Sequence, residues 1–180
     1  YVFYDDLNTK MMAFKNGDID YTDLDASLLQ QYQNDPDVKD LITQYETLGT
    51  QFVNLNLSDA ALQDARVRQA LSLAINRQNI VDTLFEGSRK AANGFFPLTI
   101  DDDESNVWEF CKYDKDAAQK IVDENNLAGT TITLSYNSGG GHEDIMSIVQ
   151  GDLEAAGFKV EKSSLEWATY LTNLGDGGYQ

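Results

Sequence analysis

The sequence predicts an α/β fold. Three observations carry this. Helix-period and strand-period segments alternate along most of the chain, and the stretch 131–162 reads as one β-α-β unit. In addition, 42% of the 180 residues are apolar, enough to give one sizeable domain a core. A strand, a crossover helix and a second strand of one sheet make a parallel pair with a right-handed connection. No internal repeat, low-complexity tract or linker interrupts the pattern, so residues 1–180 read as a single domain.

Tyr1–Tyr4 reads as a short strand, followed by a helix-like stretch from Asp5 to Lys15. Asn16-Gly17-Asp18 supplies turn chemistry, because Asn and Gly tolerate positive φ, and Ile19-Asp20-Tyr21 reads as a second short strand. Residues 23–48 are polar and mixed, with short helices around Leu28-Leu29 and Val38–Ile42 and Pro36 as a breaker. Gln51–Leu57 sets Phe52, Val53, Leu55 and Leu57 against Asn54 and Asn56, the pattern of a half-buried strand.

Ala65–Asn76 carries Val67, Ala70, Leu71, Ala74 and Ile75, the apolar stripe of an amphipathic helix. Asp64 stands where an N-cap accepts from the free amides of the first turn. Asn76-Arg77 reads as a corner, because a second stripe follows with Ile80, Val81, Leu84 and Phe85, and Gly87 suits the left-handed residue beyond a helix end. Residues 88–112 lack periodicity and read as a long surface connection. Asp114 caps a third helix with Ala117, Ala118, Ile121 and Val122. Thr131–Tyr136 is a strand, a glycine-rich loop spans Asn137–Gly141, and a helix runs from about His142 to Ala156. Phe158–Lys162 is the last strand, and Trp167, Tyr170, Leu171 and Leu174 form a final helical stripe.

Charge excludes several function classes. Thirteen basic against 30 acidic residues leave a net charge of −17, so phosphate backbones and anionic membrane surfaces are repelled. No run approaches ~18 apolar residues, so no segment reads as a spanning helix. The opening residues lack the basic, apolar and small-residue order of a signal peptide. Tyr1 is not a start methionine, and the chain reads as a processed or excised segment. Cys111 is alone, which rules out an intrachain disulfide and a cysteine metal cluster.

Catalytic parts are scarce. The chain has one histidine, so any Ser-His-Asp or Cys-His arrangement must use His142, and no Gly-x-Ser-x-Gly elbow occurs. Asp101–Glu104 offers hard oxygen ligands but lacks the alternating spacing and turn glycine of a calcium loop, and reads as a solvated loop. Asn137-Ser138-Gly139-Gly140-Gly141-His142 opens a helix directly after a strand, where bare amides favour an anion. Its glycines serve the turn equally well, and His142 alone reads as a solvated surface residue. These residues predict no enzyme, no metal and no cofactor.

Several segments resemble the family 5 extracellular solute-binding proteins. They are Asn16-Gly17-Asp18-Ile19-Asp20, Phe52-Val53-Asn54-Leu55-Asn56, the run from Asp64 through Arg66-Val67-Arg68-Gln69-Ala70-Leu71, and Ala74-Ile75-Asn76-Arg77-Gln78-Asn79-Ile80-Val81. Leu134-Ser135-Tyr136-Asn137, then His142, Leu153, Gly157-Phe158-Lys159-Val160, Glu166-Trp167 and Tyr170-Leu171 are similar to the oligopeptide-binding branch. The resemblance implies one lobe of a bilobal, type II periplasmic-binding-protein-like receptor, its sheet flanked by helices and its ligand held between lobes. It implies an oligopeptide ligand, an ABC permease as partner and a monomer. It also implies a location in the periplasm or, through a lipid anchor outside this segment, on the outer face of the cytoplasmic membrane. Dipeptides, nickel chelates and oligosaccharides are alternative solutes on the same fold, and a peptide-sensing receptor is an alternative role.

The resemblance places Asn137, Ser138 and His142 at the ligand, with His142 toward its carboxyl end. An imidazole beside free helix amides is a suitable carboxylate receptor. Relatives that carry basic groups after the first helix pair and near the last helix find Phe85, Glu86 and Asn173 there in this chain. Arg66 and Arg68 read as structural cations at a helix start, and Trp167 as core or rim packing.

Overall fold

The computed structural model describes residues 1–97, 99–100, 107–139 and 141–180. The predicted acidic loop at Asp101–Glu104 lies outside them. Helix α1 (Leu7–Asn16) starts where the Asp6 carboxylate accepts from the Thr9 amide, 2.7 Å away, and stops at Gly17, whose φ of 78° turns the chain out of the helix. With α2 (Ala26–Gln33) and a 3₁₀ turn at Lys39–Leu41 it closes a small cluster around Met11, Tyr32 and Val38, with Phe14 and Leu28 packed alongside.

The main core belongs to the remaining elements. A single helical turn, α3 (Ala60–Gln63), leads into α4 (Ala65–Ala74), capped by the Asp64 side chain on the Arg66 amide at 2.9 Å. Helix α5 (Arg77–Leu84) is capped in the same way by Asn76 on Asn79, and α6 (Lys115–Glu124) by Asp114 on Ala117. The predicted caps Asp64 and Asp114 and the predicted corner at Asn76 are all formed. Strand β1 (Thr131–Asn137), helix α7 (Glu143–Ala155) and strand β2 (Lys159–Leu165) make the predicted β-α-β unit, parallel from Thr131 opposite Lys159 to Asn137 opposite Leu165. Helix α8 (Trp167–Asp176) follows.

α4 lies against α6, and α7 against β2. Val67, Ala70, Leu71 and Ala74 of α4, Ala118 and Val122 of α6, Ile132 and Leu134 of β1, and Val149 and Leu153 of α7 form one buried cluster. Burying each of these aliphatic side chains contributes on the order of 1.5–3 kcal/mol for the larger ones. Along β1 the buried residues Ile132, Leu134 and Tyr136 alternate with half-buried Thr131, Thr133, Ser135 and Asn137. One face of the strand is therefore committed to the core.

Three predicted strands are not formed. Tyr1–Tyr4, Ile19–Tyr21 and Gln51–Leu57 carry no ladder, and the sheet among the described residues is β1 with β2. Phe3 is 92% exposed and Phe52 60% exposed, and within 51–57 it is Leu55 that packs against the main core, so the alternation does not commit a whole face to burial. In 51–57 the asparagines turn to the C-terminal tail. Asn56 Nδ2 donates to the Tyr179 carbonyl at 2.7 Å, and Asn54 Nδ2 to the Tyr179 hydroxyl at 2.9 Å. The outer edge of β1 is met by a side chain: Gln180 donates Nε2 to the Thr131 carbonyl at 3.2 Å and accepts the Thr133 N–H on Oε1. This is the pair of bonds a residue of a parallel neighbouring strand would make.

Candidate functional site

A groove of about 270 Å³ runs along the outer side of β1, between that strand and the extended segment 51–55. Ser135, Asn137, His142, Gln51 and Phe52 are among its walls, and Tyr170 and Leu174 of α8 close another side. Its upper end is the carboxyl end of β1 and the start of α7. In α/β sheets, that is where loops and helix amides converge on a ligand.

Of the three sequence-predicted site residues, Asn137 and His142 both line this groove. Ser138 is exposed, and its N–H continues the sheet bonding to the Leu165 carbonyl at 2.7 Å. Gly139 and Gly141, at φ 73° and 71°, take conformations that a side chain opposes, and so bring the chain round from β1 into α7. His142 is the N-cap residue of α7, half-buried, and its side chain makes no capping bond. The imidazole is therefore left for other partners.

The helix amides are less open than the sequence implied. Glu143 and Asp144 occupy the first turn of α7 and place their own charge in its positive field. Glu143 is held by Tyr136, whose hydroxyl donates to Oε2, and by Lys162, whose Nζ lies 3.2 Å from Oε1. The Tyr136 bond and the Lys162 contact hold the Glu143 carboxyl below its ordinary range, and the same carboxylate pushes the Tyr136 hydroxyl up.

His142 instead joins a row that the sequence did not disclose. Its Nδ1 lies 3.1 Å from Gln51 Nε2, and Gln51 Oε1 accepts from Arg89 Nη1 at 2.6 Å. The Arg89 guanidinium carbon stands 3.9 Å over the Phe85 ring, a cation–π contact that helps to hold it there. Phe85 thus steadies a basic group four residues on. Nearby, Phe52 and Phe95 approach with ring centroids 5.3 Å apart, and Phe96 meets Phe95 edge-on at 5.8 Å, all three largely exposed. Of these residues Gln51, Phe52 and His142 line the groove, while Arg89 reaches it through Gln51 and Phe95 through Phe52.

Other sequence-level candidates take structural roles. Arg66 pairs with Asp64 at 2.6 Å and reaches Asn125 Oδ1 at 2.7 Å. Arg68 donates to the Leu62 and Gln63 carbonyls at 2.7 and 3.0 Å. Arg77 is bound to Ser72, Ile75 and Cys111 through their backbone oxygens and to Ser72 Oγ. Trp167 stacks on Tyr170 with centroids 5.9 Å apart and remains 53% exposed, a rim position. Among the described residues, no cluster of His, Cys, Asp and Glu is arranged to hold a metal ion, and no helix is long and apolar enough to cross a membrane.

Comparison with known proteins agrees with this architecture. The family model described as "Bacterial extracellular solute-binding proteins, family 5 Middle" matches residues 1–180. A probable di/tripeptide-binding protein of Pseudomonas aeruginosa is 29% identical over 141 residues, covering 71% of this chain and 25% of that protein. Among solved structures, NikA of Brucella suis in complex with Fe(III)-EDTA superposes with a TM-score of 0.80 at 22% identity, over 98% of this chain and 39% of that one. A periplasmic binding protein, DppA of Helicobacter pylori, in complex with the peptide STSA superposes at 0.75 with 20% identity, over 98% and 34%. The chain spans between a quarter and two-fifths of the proteins it matches.

Proposed function

Because this chain belongs to the family 5 bacterial extracellular solute-binding proteins, we propose that it is one lobe of a two-lobed receptor that captures oligopeptides for an ABC importer. Family membership over residues 1–180 is the observation that carries the reading. The outer edge of β1 beyond the Gln180 bonds, at Ser135 and Asn137, together with large apolar side chains left exposed at Phe52, Phe95, Phe96 and Trp108, supports a lobe that meets further polypeptide. The ligand lies at the carboxyl end of β1, against Asn137, Ser138 and His142, and a second lobe closes over it by hinge motion. Extended peptides are held chiefly through their main chain, with side chains left in tolerant pockets. His142 takes the ligand's carboxyl end.

No bond of the ligand is made or broken; the closed receptor hands it to a membrane permease. The receptor works as a monomer outside the cytoplasmic membrane, in the periplasm or on a lipid anchor. Closure buries most of a ligand, so one lobe by itself should bind no better than about millimolar.

The test is calorimetric titration of the whole receptor with a mixed pool of tri- to pentapeptides, beside this chain alone and a whole-receptor His142→Ala variant. Tight binding by the receptor, weak binding by the chain alone and a loss in the variant support the reading. A receptor that ignores peptides but binds a dipeptide, a metal chelate or a sugar refutes the oligopeptide assignment. Turnover of the peptide refutes the non-enzymatic one.

A further inference from the structure

The row Arg89–Gln51–His142 has only one self-consistent arrangement of protons. A guanidinium donates and never accepts, so the end of the Gln51 amide that faces Arg89 at 2.6 Å must be the oxygen. That choice turns the amide nitrogen, which only donates, toward His142 Nδ1 at 3.1 Å. Nδ1 must then present its lone pair, and the ring proton of the neutral imidazole belongs on Nε2. An amide with nothing on its far side could flip and reverse the assignment. Here a flip would set NH₂ against the guanidinium.

We infer that Arg89 and Gln51 are positioning residues that fix His142 as its Nε2–H tautomer, making this end of the groove a row of N–H donors that selects an anionic oxygen group of the ligand. The inference rests on the reading of His142 as a ligand contact. Arg89 is free to lend its charge. Its bonded partner is the neutral Gln51, its guanidinium rests on the Phe85 ring, and none of the ion pairs among the described residues includes it. Its immediate neighbour Lys90 is neutralised by Glu46, and the acid beside His142, Glu143, is engaged by Lys162 and Tyr136. A donor-only row with one net cation accepts a carboxylate and repels an ammonium group, so it receives the carboxyl end of a peptide.

The experiment is ¹⁵N-histidine NMR of the protein at about pH 8.5, well above the ordinary imidazole range. The His142 signals are identified as those lost in His142→Ala. The expected spectrum has a bare Nδ1 and a protonated Nε2. Gln51→Glu presents a carboxylate, which can only accept, and moves the proton to Nδ1. Arg89→Gln removes the lock and gives a mixture of tautomers. A wild-type ring protonated on Nδ1, or spectra unchanged by both substitutions, overturns the inference.

The binding arm compares a peptide with a free carboxyl end and its C-terminal amide on the whole receptor. Wild type should favour the free acid, and Gln51→Glu should weaken the acid about tenfold while sparing the amide. If His142→Ala weakens peptide binding but Gln51→Glu and Arg89→Gln leave the acid-to-amide ratio as it was, the positioning role fails and the ligand contact stands. If His142→Ala binds like wild type, the ligand contact itself fails, and the selection of an anionic group falls with it.

Discussion

Asp152 on α7 accepts the backbone N–H of Asn76 at 2.9 Å. Asn76 is the corner between α4 and α5, so this one bond ties the helix pair to the crossover helix of the β-α-β unit. Burial raises the Asp152 carboxyl above its ordinary value, opposed by the Asn76 bond and by Lys115. A raised carboxyl holds its proton more tightly in the folded chain. Its favourable share of stability is present below the ordinary value and is lost as pH climbs through the folded one. Asp152→Asn keeps an oxygen for the Asn76 amide and removes the desolvated charge, so at pH 7 its urea midpoint should equal or slightly exceed wild type. That gap should close at about pH 3, where wild type is protonated as well. Asp152→Ala leaves the amide without a partner and should cost about 1–2 kcal/mol at either pH.

Asp64 behaves in the opposite sense. The Arg66 side chain and backbone amide hold its carboxyl down at about 2. A depressed carboxyl contributes stability above its unfolded value, and that share disappears as pH falls through the folded value. Asp64→Asn, which keeps a capping oxygen but loses the charge, should therefore be less stable than wild type at pH 7. The two should converge between about pH 4 and pH 2, the unfolded and folded ends of the titration. Urea midpoints at several pH values across that range measure it; a gap that has not shrunk by about pH 2 would assign the difference to something other than this carboxylate.

The core should respond to depth. Leu153 is 2% exposed and packs within the main cluster, whereas Leu171 on α8 is 45% exposed. Leu153→Ala should cost about 3 kcal/mol and Leu171→Ala much less, because only the first leaves a cavity. Gly157 probes the same core from the backbone. At φ 102° it ends the turn after α7, and an added Cβ would stand 3.2 Å from the Cγ1 atom of fully buried Val122. Gly157→Ala should lose about 1–2 kcal/mol from the conformation alone. Equilibrium unfolding of the three variants checks the order.

Helices were legible because their information is local. The α4 and α6 stripes and the caps at Asp64 and Asp114 lie within one or two turns of sequence, and the β-α-β unit needs only two apolar strands around one amphipathic helix. Gln51–Leu57 misled because alternation records a strand's two faces and says nothing of whether an edge stands ready to pair. Asn54 and Asn56 are committed to Tyr179 instead. The family resemblance brought Asn137 and His142 to the site, but not Gln51 and Arg89. Gln51 is separated from His142 by 91 positions and from Arg89 by 38, and Arg89 lies in a stretch without periodicity. Only the folded chain brings a neutral amide between a cation and an imidazole.

The outer edge of β1 supplies the last prediction. Peptide N–H groups alternate sides along a strand, and Thr133 turns its N–H to Gln180 Oε1. Ser135 and Asn137 share that parity, so their N–H groups face the groove, away from β2. Gln180→Ala removes the acceptor of Thr133 while leaving the β1–β2 ladder, carried by the residues of the other parity, untouched. Amide exchange followed by NMR should show Thr133 protected in wild type and exposed in the variant, with Ile132 and Leu134 slow in both. Ser135 and Asn137 should exchange faster than Ile132 and Leu134 from the start. Protection of Thr133 that survives the substitution would mean that some other group covers this edge. In that case the groove beside β1 would be closed to an extended ligand main chain as well.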